Sequence, residues 1–186
     1  MPALARLAHS EAERLGFGGS CRPETGRLLR SVAAQYRGGT LAEIGAGCGV
    51  GTAWILSGLD PRVRLVTVEL DEDRAAVASR LLEPAPNVRV LRGDWRQVLE
   101  LAPFEMVFCD VSSAKREEPE LVLGMMRPGG LVVLDDFTPE AVWTPEQKAA
   151  FAYGDPVRGF WLGDSRLIGV EVMVTTDHAV ILAVRR

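Results

Sequence analysis

Leu41-Ala42-Glu43-Ile44-Gly45-Ala46-Gly47-Cys48-Gly49-Val50-Gly51-Thr52-Ala53-Trp54-Ile55 is the stretch on which the fold turns. It opens apolar, carries one acid at Glu43, sets glycine at every second position from Gly45 to Gly51, and closes on helix-forming residues. That order reads as strand, tight turn and helix. Glycine is needed where the backbone takes a positive φ or meets a ligand with no Cβ in the way. A loop entering a helix also leaves backbone N–H groups free to meet a polar ligand. A dinucleotide would require G-x-G-x-x-G, and the third glycine fails from every start: Val50 counted from Gly45, Thr52 from Gly47, Trp54 from Gly49.

Outward from this turn the chain alternates. Strands are predicted near 41–45, 64–69, 88–92, 105–110 and 130–135, with helices near 50–58, 71–82, 94–101 and 115–126 between them. Such alternation argues for parallel βαβ units, and apolar runs such as Met106–Cys109 and Leu131–Leu134 suit strands buried on both faces. Upstream, helices are predicted from Pro2 to Leu15 and from Pro23 to Tyr36, separated by Gly16, Gly18 and Gly19. Downstream, Gly169–Val174 and Ala179–Val184 flank Thr175-Thr176-Asp177-His178 as an antiparallel hairpin. The one long irregular stretch runs from Thr138 to Leu167. The expected fold is α/β: a Rossmann-like, doubly wound, mostly parallel seven-stranded sheet with a C-terminal antiparallel hairpin, in one domain.

Bulk properties bound the function. A chain of 186 residues can bury a real core, and its 47% apolar content is ordinary for a globular protein. No apolar run approaches a membrane span, and the N-terminus lacks the core of a signal peptide, so no membrane association and a cytoplasmic location are expected. The net charge of −4, with the 21 basic residues scattered, gives no reason to favour nucleic acid over a small molecule. Cys21, Cys48 and Cys109 have no zinc-like spacing and no even pairing, and read as buried thiols. His9, in a helix, and His178, in the hairpin, have no acid near them in sequence placed as a catalytic partner, and both read as structural.

Glu43-Ile44-Gly45-Ala46-Gly47-Cys48-Gly49 resembles the first motif of class I S-adenosylmethionine-dependent methyltransferases. Arg22-Pro23-Glu24-Thr25-Gly26-Arg27-Leu28-Leu29 is similar to the segment before the first strand in O-methyltransferases of the catechol and caffeoyl-CoA type, where the loop before this helix covers the cofactor. The resemblance spans most of the chain. It implies S-adenosyl-L-methionine as cofactor and divides the chain into N-terminal helices over the cofactor site (1–39), a cofactor-binding core (40–136), an acceptor-site segment (137–167) and the hairpin (168–186). It also implies a homodimer.

Several residues acquire candidate roles. Glu69 ends the second predicted strand, where a carboxylate can accept both ribose hydroxyls, since ligands of open α/β sheets bind beyond the strand C-termini. The plainer alternative is a solvated loop acid. Asp94 follows the third strand where the resembling family bonds the adenine amino group, with Trp95 beside it to flank the ring. Asp94 also suits a helix N-cap, and both roles can hold. Glu43, Gly45, Ala46, Gly47, Gly49, Glu69, Leu70, Gly93, Asp94, Trp95 and Asp110 make up the expected cofactor contacts.

Asp110 ends the fourth strand, and Asp135 and Asp136 end the fifth. Acids at neighbouring strand ends could converge, and hard divalent cations choose such oxygens. The arrangement is similar to metal-dependent O-methyltransferases, which carry one Asp on strand four and an Asp-Asn pair on strand five. Mg2+ held by Asp110, Asp135 and Asp136 is the implied form, with an acid cluster serving cofactor and helix caps as the alternative. Here Asp136 stands in place of the family's Asn, and Ser113 in place of its lysine. The nearest lysine, Lys115, precedes Pro119 by the family's own spacing and is the candidate base, beside Asp110 and Asp136.

Phe137, Trp143, Phe151, Tyr153, Phe160 and Trp161 cluster in and beside the irregular stretch. They read either as the wall of an acceptor pocket or as cover for the sheet edge. The function expected is O-methylation of a small hydroxyl acceptor, an aromatic one among the candidates, with divalent-metal assistance as the resemblance implies. The alternatives are a protein that holds S-adenosylmethionine or S-adenosylhomocysteine without catalysis and an aminopropyltransferase-like enzyme; an NAD-dependent oxidoreductase is disfavoured by the failed glycine spacing.

Overall fold

A computed structural model describes all residues, 1–186. In chain order the elements are α1 (Ala3–Arg14), α2 (Pro23–Ala33), β1 (Thr40–Ile44), α3 (Val50–Leu56), β2 (Arg64–Glu69), α4 (Glu72–Leu82), β3 (Val88–Arg92), a 3-10 turn (Trp95–Leu101) and β4 (Phe104–Cys109). There follow α5 (Ser112–Arg116), α6 (Pro119–Met125), β5 (Met126–Phe137), a short 3-10 turn (Glu140–Val142), α7 (Pro145–Ala150), α8 (Pro156–Gly163), β6 (Leu167–Met173) and β7 (Ala179–Arg185). The strands form one sheet in the order β3-β2-β1-β4-β5-β7-β6; as expected it has seven strands, with parallel pairing from β3 to β5 and antiparallel pairing of β7 with β5 and β6.

Side chains alternate across each strand, so β1, β2, β4 and β5 feed two cores. Ala42, Ile44, Val66, Val68, Val107 and Leu134 pack against α5, α6 and α8. Leu41, Leu65, Met106, Phe108 and Val133 pack against α1, α2 and α3 through Ala5, Leu29 and Trp54. Gly26 lets α2 lie against α3: a Cβ there would sit 2.4 Å from the Trp54 ring. Cys21, Cys48 and Cys109 are all free and buried.

Three expectations change. The single helix near 115–126 is two, because Pro119 starts α6 at its first turn and holds Glu118 out of helical geometry (φ −132°, ψ 44°). The helix near 94–101 is a 3-10 turn capped by Asp94. The stretch 138–167 is not irregular: Thr144 and Gln147 form a reciprocal capping box over α7, and Asp155 caps α8 ahead of Pro156.

That segment is pinned by Arg158. Its guanidinium donates to Asp155 Oδ2 at 2.7 Å, to Glu171 Oε2 and Oε1 at 2.7 and 3.0 Å, and to the Thr138 carbonyl at 2.8 Å. It also stacks over Phe137 and Trp143.

Candidate functional site

A cavity of about 450 Å3 opens beyond the C-terminal ends of β1, β2, β3 and β4. Its floor is the glycine loop. Gly45, Gly47 and Gly49 have φ of +92°, +54° and +91°, which side chains resist. The Gly45 and Ala46 N–H groups both donate to the Val68 carbonyl at 3.0 Å, fastening the loop to β2. At Gly51 the need is space, since a Cβ would come within 2.4 Å of Glu43 Oε1.

Glu43 is buried at the base of the loop. Its Oε2 accepts from Thr67 Oγ1 at 2.6 Å and from Thr52 Oγ1, whereas Oε1 has no partner. Burial pushes this carboxyl up to about 7, against the pull of the two hydroxyls, and the Glu69 charge adds to the rise. The folded carboxyl therefore holds its proton more tightly than the unfolded one. The unfolding free energy declines as pH rises from 4.5 towards 7 and stays lowered above that. The full decline is on the order of 3 kcal/mol. Glu43→Gln stays neutral and can still accept from the two hydroxyls. Urea unfolding of the wild type should lose stability between about pH 5 and pH 8, and the variant should lack that component. Equal slopes in the two proteins would assign the loss to other groups.

Glu69 lies at the tip of β2 and is also buried. Its Oε2 accepts from the Gly47 N–H at 2.7 Å. Its Oε1 accepts from the Asp71 N–H at 3.0 Å and from the Arg74 guanidinium at 2.9 and 3.1 Å. The same guanidinium stacks 4.6 Å over Phe17, whose ring covers Gly47. Asp94 caps its 3-10 turn through the Arg96 N–H at 2.8 Å, which holds its carboxyl below the usual range, and it also lines the cavity beside Gly93 and the buried Trp95. Leu70 is an exposed residue of the rim.

Asp110 and Asp136 line the other end. Burial, then the Asp135 and Asp136 charges, push Asp110 well above the usual carboxylate range. Asp136 is exposed and adopts a φ of +64°, which aspartate tolerates better than most residues. Asp135 is buried beneath it. Its Oδ1 accepts from the Asp136 N–H at 2.9 Å and from Thr25 Oγ1 at 3.3 Å, and stands 2.7 Å from His178 Nε2.

Several sequence expectations meet different surroundings. His178 does have an acid partner, Asp135, which sequence distance concealed. The side chains whose ligand atoms all lie within 4.8 Å of one another are Asp135, Asp136 and His178; Asp110 lies outside that group. Lys115 is buried away from the cavity, donating to the Asp135 carbonyl over the Phe137 ring, and Ser113 lines the cavity instead. None of the six clustered aromatics lines the cavity. Phe137 and Trp161 are core residues, and Trp161 Nε1 donates to the Lys115 carbonyl at 3.1 Å. The loop between α1 and α2, which the resemblance places over the cofactor, contributes Phe17, Ser20 and Cys21 to the lining, none of them singled out individually by the sequence.

Comparison with known proteins agrees with this geometry. A catechol O-methyltransferase of Niastella koreensis is 29% identical over 144 residues, which cover 72% of this chain and 65% of that protein. The chain thus aligns with less than two thirds of this relative's length. An O-methyltransferase of Bacillus cereus, solved in complex with SAH, superposes with a TM-score of 0.77 at 19% identity over 100% of this chain and 92% of its own. The O-methyltransferase TomG of Streptomyces achromogenes, solved with SAM, gives 0.77 at 22% identity over 100% and 90%. At such identities the superpositions speak for the fold. The methyltransferase domain family itself matches residues 42–137, from β1 through the end of β5, and the chain belongs to that family.

Proposed function

We propose that this protein transfers the methyl group of S-adenosylmethionine to a hydroxyl oxygen of a small molecule. The observation that carries the reading is one cavity joining Glu69 and Asp94 at one end to Asp110 and Asp136 at the other, across the glycine loop. Its volume is in the range of small-molecule sites. The residues suit the cofactor: Glu43 Oε1 and Trp95 Nε1 are buried without partners. The cofactor supplies a sulfonium-activated methyl carbon, which an oxygen displaces in line.

The chain's own task is then to position and to move one proton. Glu69 accepts the ribose hydroxyls, and Asp94 with Trp95 holds the adenine. The glycine loop lets backbone approach the amino-acid end. Orientation of this kind can supply roughly 7–11 kcal/mol of a barrier. Asp136 takes the proton from the acceptor hydroxyl, because it lines the cavity and is exposed, whereas Lys115 lies outside the cavity and Asp110, pushed well above the usual carboxylate range, keeps its own proton. The resemblance also implies a divalent ion, and the donors fit one: Asp135, Asp136 and His178 would hold it, and its charge would ease loss of the hydroxyl proton.

A second reading, binding of the cofactor without transfer, is favoured by the engagement of Lys115 with the Asp135 carbonyl. Calorimetry with S-adenosylhomocysteine, in magnesium and in EDTA, separates these readings when followed by radiolabelled methyl transfer to a panel of catechols and simpler hydroxyl compounds. Binding with Kd near micromolar, about −8 kcal/mol, together with transfer to one acceptor class, is expected. Binding without transfer selects the second reading. No binding overturns both.

A further inference from the structure

We propose that His178 is a metal ligand, and that with Asp135 and Asp136 it forms a site for a divalent transition-metal ion in preference to Mg2+. The inference rests on the convergence of one imidazole and two carboxylates, and only its location relies on the reading above. His178 lies at the turn into β7, on the hairpin, and Asp135 and Asp136 lie near the end of β5. Their ligand atoms all fall within 4.8 Å of one another.

The geometry needs little adjustment. Ligand atoms at about 2.1 Å from a six-coordinate ion stand about 3 Å apart, and His178 Nε2 stands 2.7 Å from Asp135 Oδ1. A carboxylate only accepts, so in the metal-free protein Nε2 carries the proton of this contact, and an ion would displace it. Thr25 Oγ1 and the Asp136 N–H hold Asp135 in place as an outer shell. Asp135 and His178 are buried and Asp136 is exposed in the cavity lining, so ligands not supplied by the chain approach from the cavity.

Donor chemistry sets the preference. Mg2+ demands oxygen ligands and sheds its water reluctantly. Imidazole suits the transition series, whose affinities rise from Mn2+ onward. The ligand set implied by the family resemblance is all oxygen, and here the group that converges includes a ring nitrogen.

The test uses metal-stripped full-length protein without cofactor. Manganese binding is followed by loss of the free Mn2+ electron paramagnetic resonance signal, and Mg2+ is then added as competitor. One Mn2+ per chain is expected, with Mg2+ at least about tenfold weaker. Pulsed spectra of the bound Mn2+ should show nitrogen modulation from a coordinated imidazole. Asp136→Gly suits the positive φ and should keep the wild-type melting temperature while losing Mn2+ binding by about tenfold or more.

Equal competition by Mg2+, bound Mn2+ without nitrogen modulation, or Mn2+ binding unchanged in Asp136→Gly would each overturn the inference. So would no binding of Mn2+ at all. If S-adenosylhomocysteine still bound and methyl transfer persisted in EDTA in those cases, the methyl-transfer reading would stand without the metal. Because the nitrogen signal is read on the native protein, the test does not depend on the folding of a His178 variant.

Discussion

Glu69→Ala should weaken S-adenosylhomocysteine binding by roughly a hundredfold. A hydrogen bond to a charged group contributes about 1.5–3 kcal/mol, so two ribose hydroxyls on one carboxylate amount to about 3 kcal/mol or more. Every 1.4 kcal/mol is about tenfold in Kd. The substitution also releases the Gly47 and Asp71 N–H groups and the Arg74 guanidinium, so the loop loses its brace together with the ligand's partner. Glu69→Gln separates these effects, because the amide can keep one of the backbone contacts while losing the charge. Calorimetry on the three proteins reads the result. If the alanine variant bound within threefold of wild type, Glu69 would be a loop anchor and nothing more.

The second large effect should be on stability. Arg158→Ala is expected to cost about 3–5 kcal/mol, because removing one partner of a buried ion pair strands the other charge. Here two acids are stranded: Asp155, with 2% of its side chain exposed, and Glu171, with 21%. Lysine should recover little. It has no planar fork to meet Glu171 bidentately while also reaching Asp155 and the Thr138 carbonyl. Urea denaturation followed by circular dichroism gives the figure. A loss under about 1 kcal/mol would place the network in the class of exposed pairs. The segment it pins joins β5 to β6, so a partial loss should show first as faster amide exchange in α7 and α8.

The readable parts of the sequence were those whose cause is local. Glu43 to Gly51 declares strand, turn and helix because positive φ and close approach leave glycine little competition. The hairpin declares itself by two apolar runs around Thr175-Thr176-Asp177. The end of α5 is hidden because Pro119, which fits the family's spacing from Lys115, physically starts a new helix. The signals for α7 and α8 were also present, as Thr144-Pro145-Glu146-Gln147 and Asp155-Pro156.

The site was legible only along single strand ends. Glu69, Asp94 and Asp110 follow from where parallel strands stop, and all three line the cavity. His178 belongs with Asp135 only because β7 inserts beside β5, which no short window of sequence contains. Lys115 is the converse case. A spacing that fits a base fits equally a buried ammonium closing off the Asp135 carbonyl.

The contact between Asp135 and His178 also orders events during synthesis. In the finished sheet β7 lies between β5 and β6, so until it is made β5 is an uncovered edge. The glycine loop, Glu69, Asp94 and Asp110 are all translated before that edge exists. The 43 residues that separate Asp135 from His178 take roughly 2–9 s at translation rates of about 5–20 residues per second. For that interval the nascent chain carries the glycine loop and the strand-end acids of its cavity without the hairpin that covers β5. An unpaired strand end is then exposed to whatever else is folding nearby, and the hairpin's arrival ends that exposure and completes the site together.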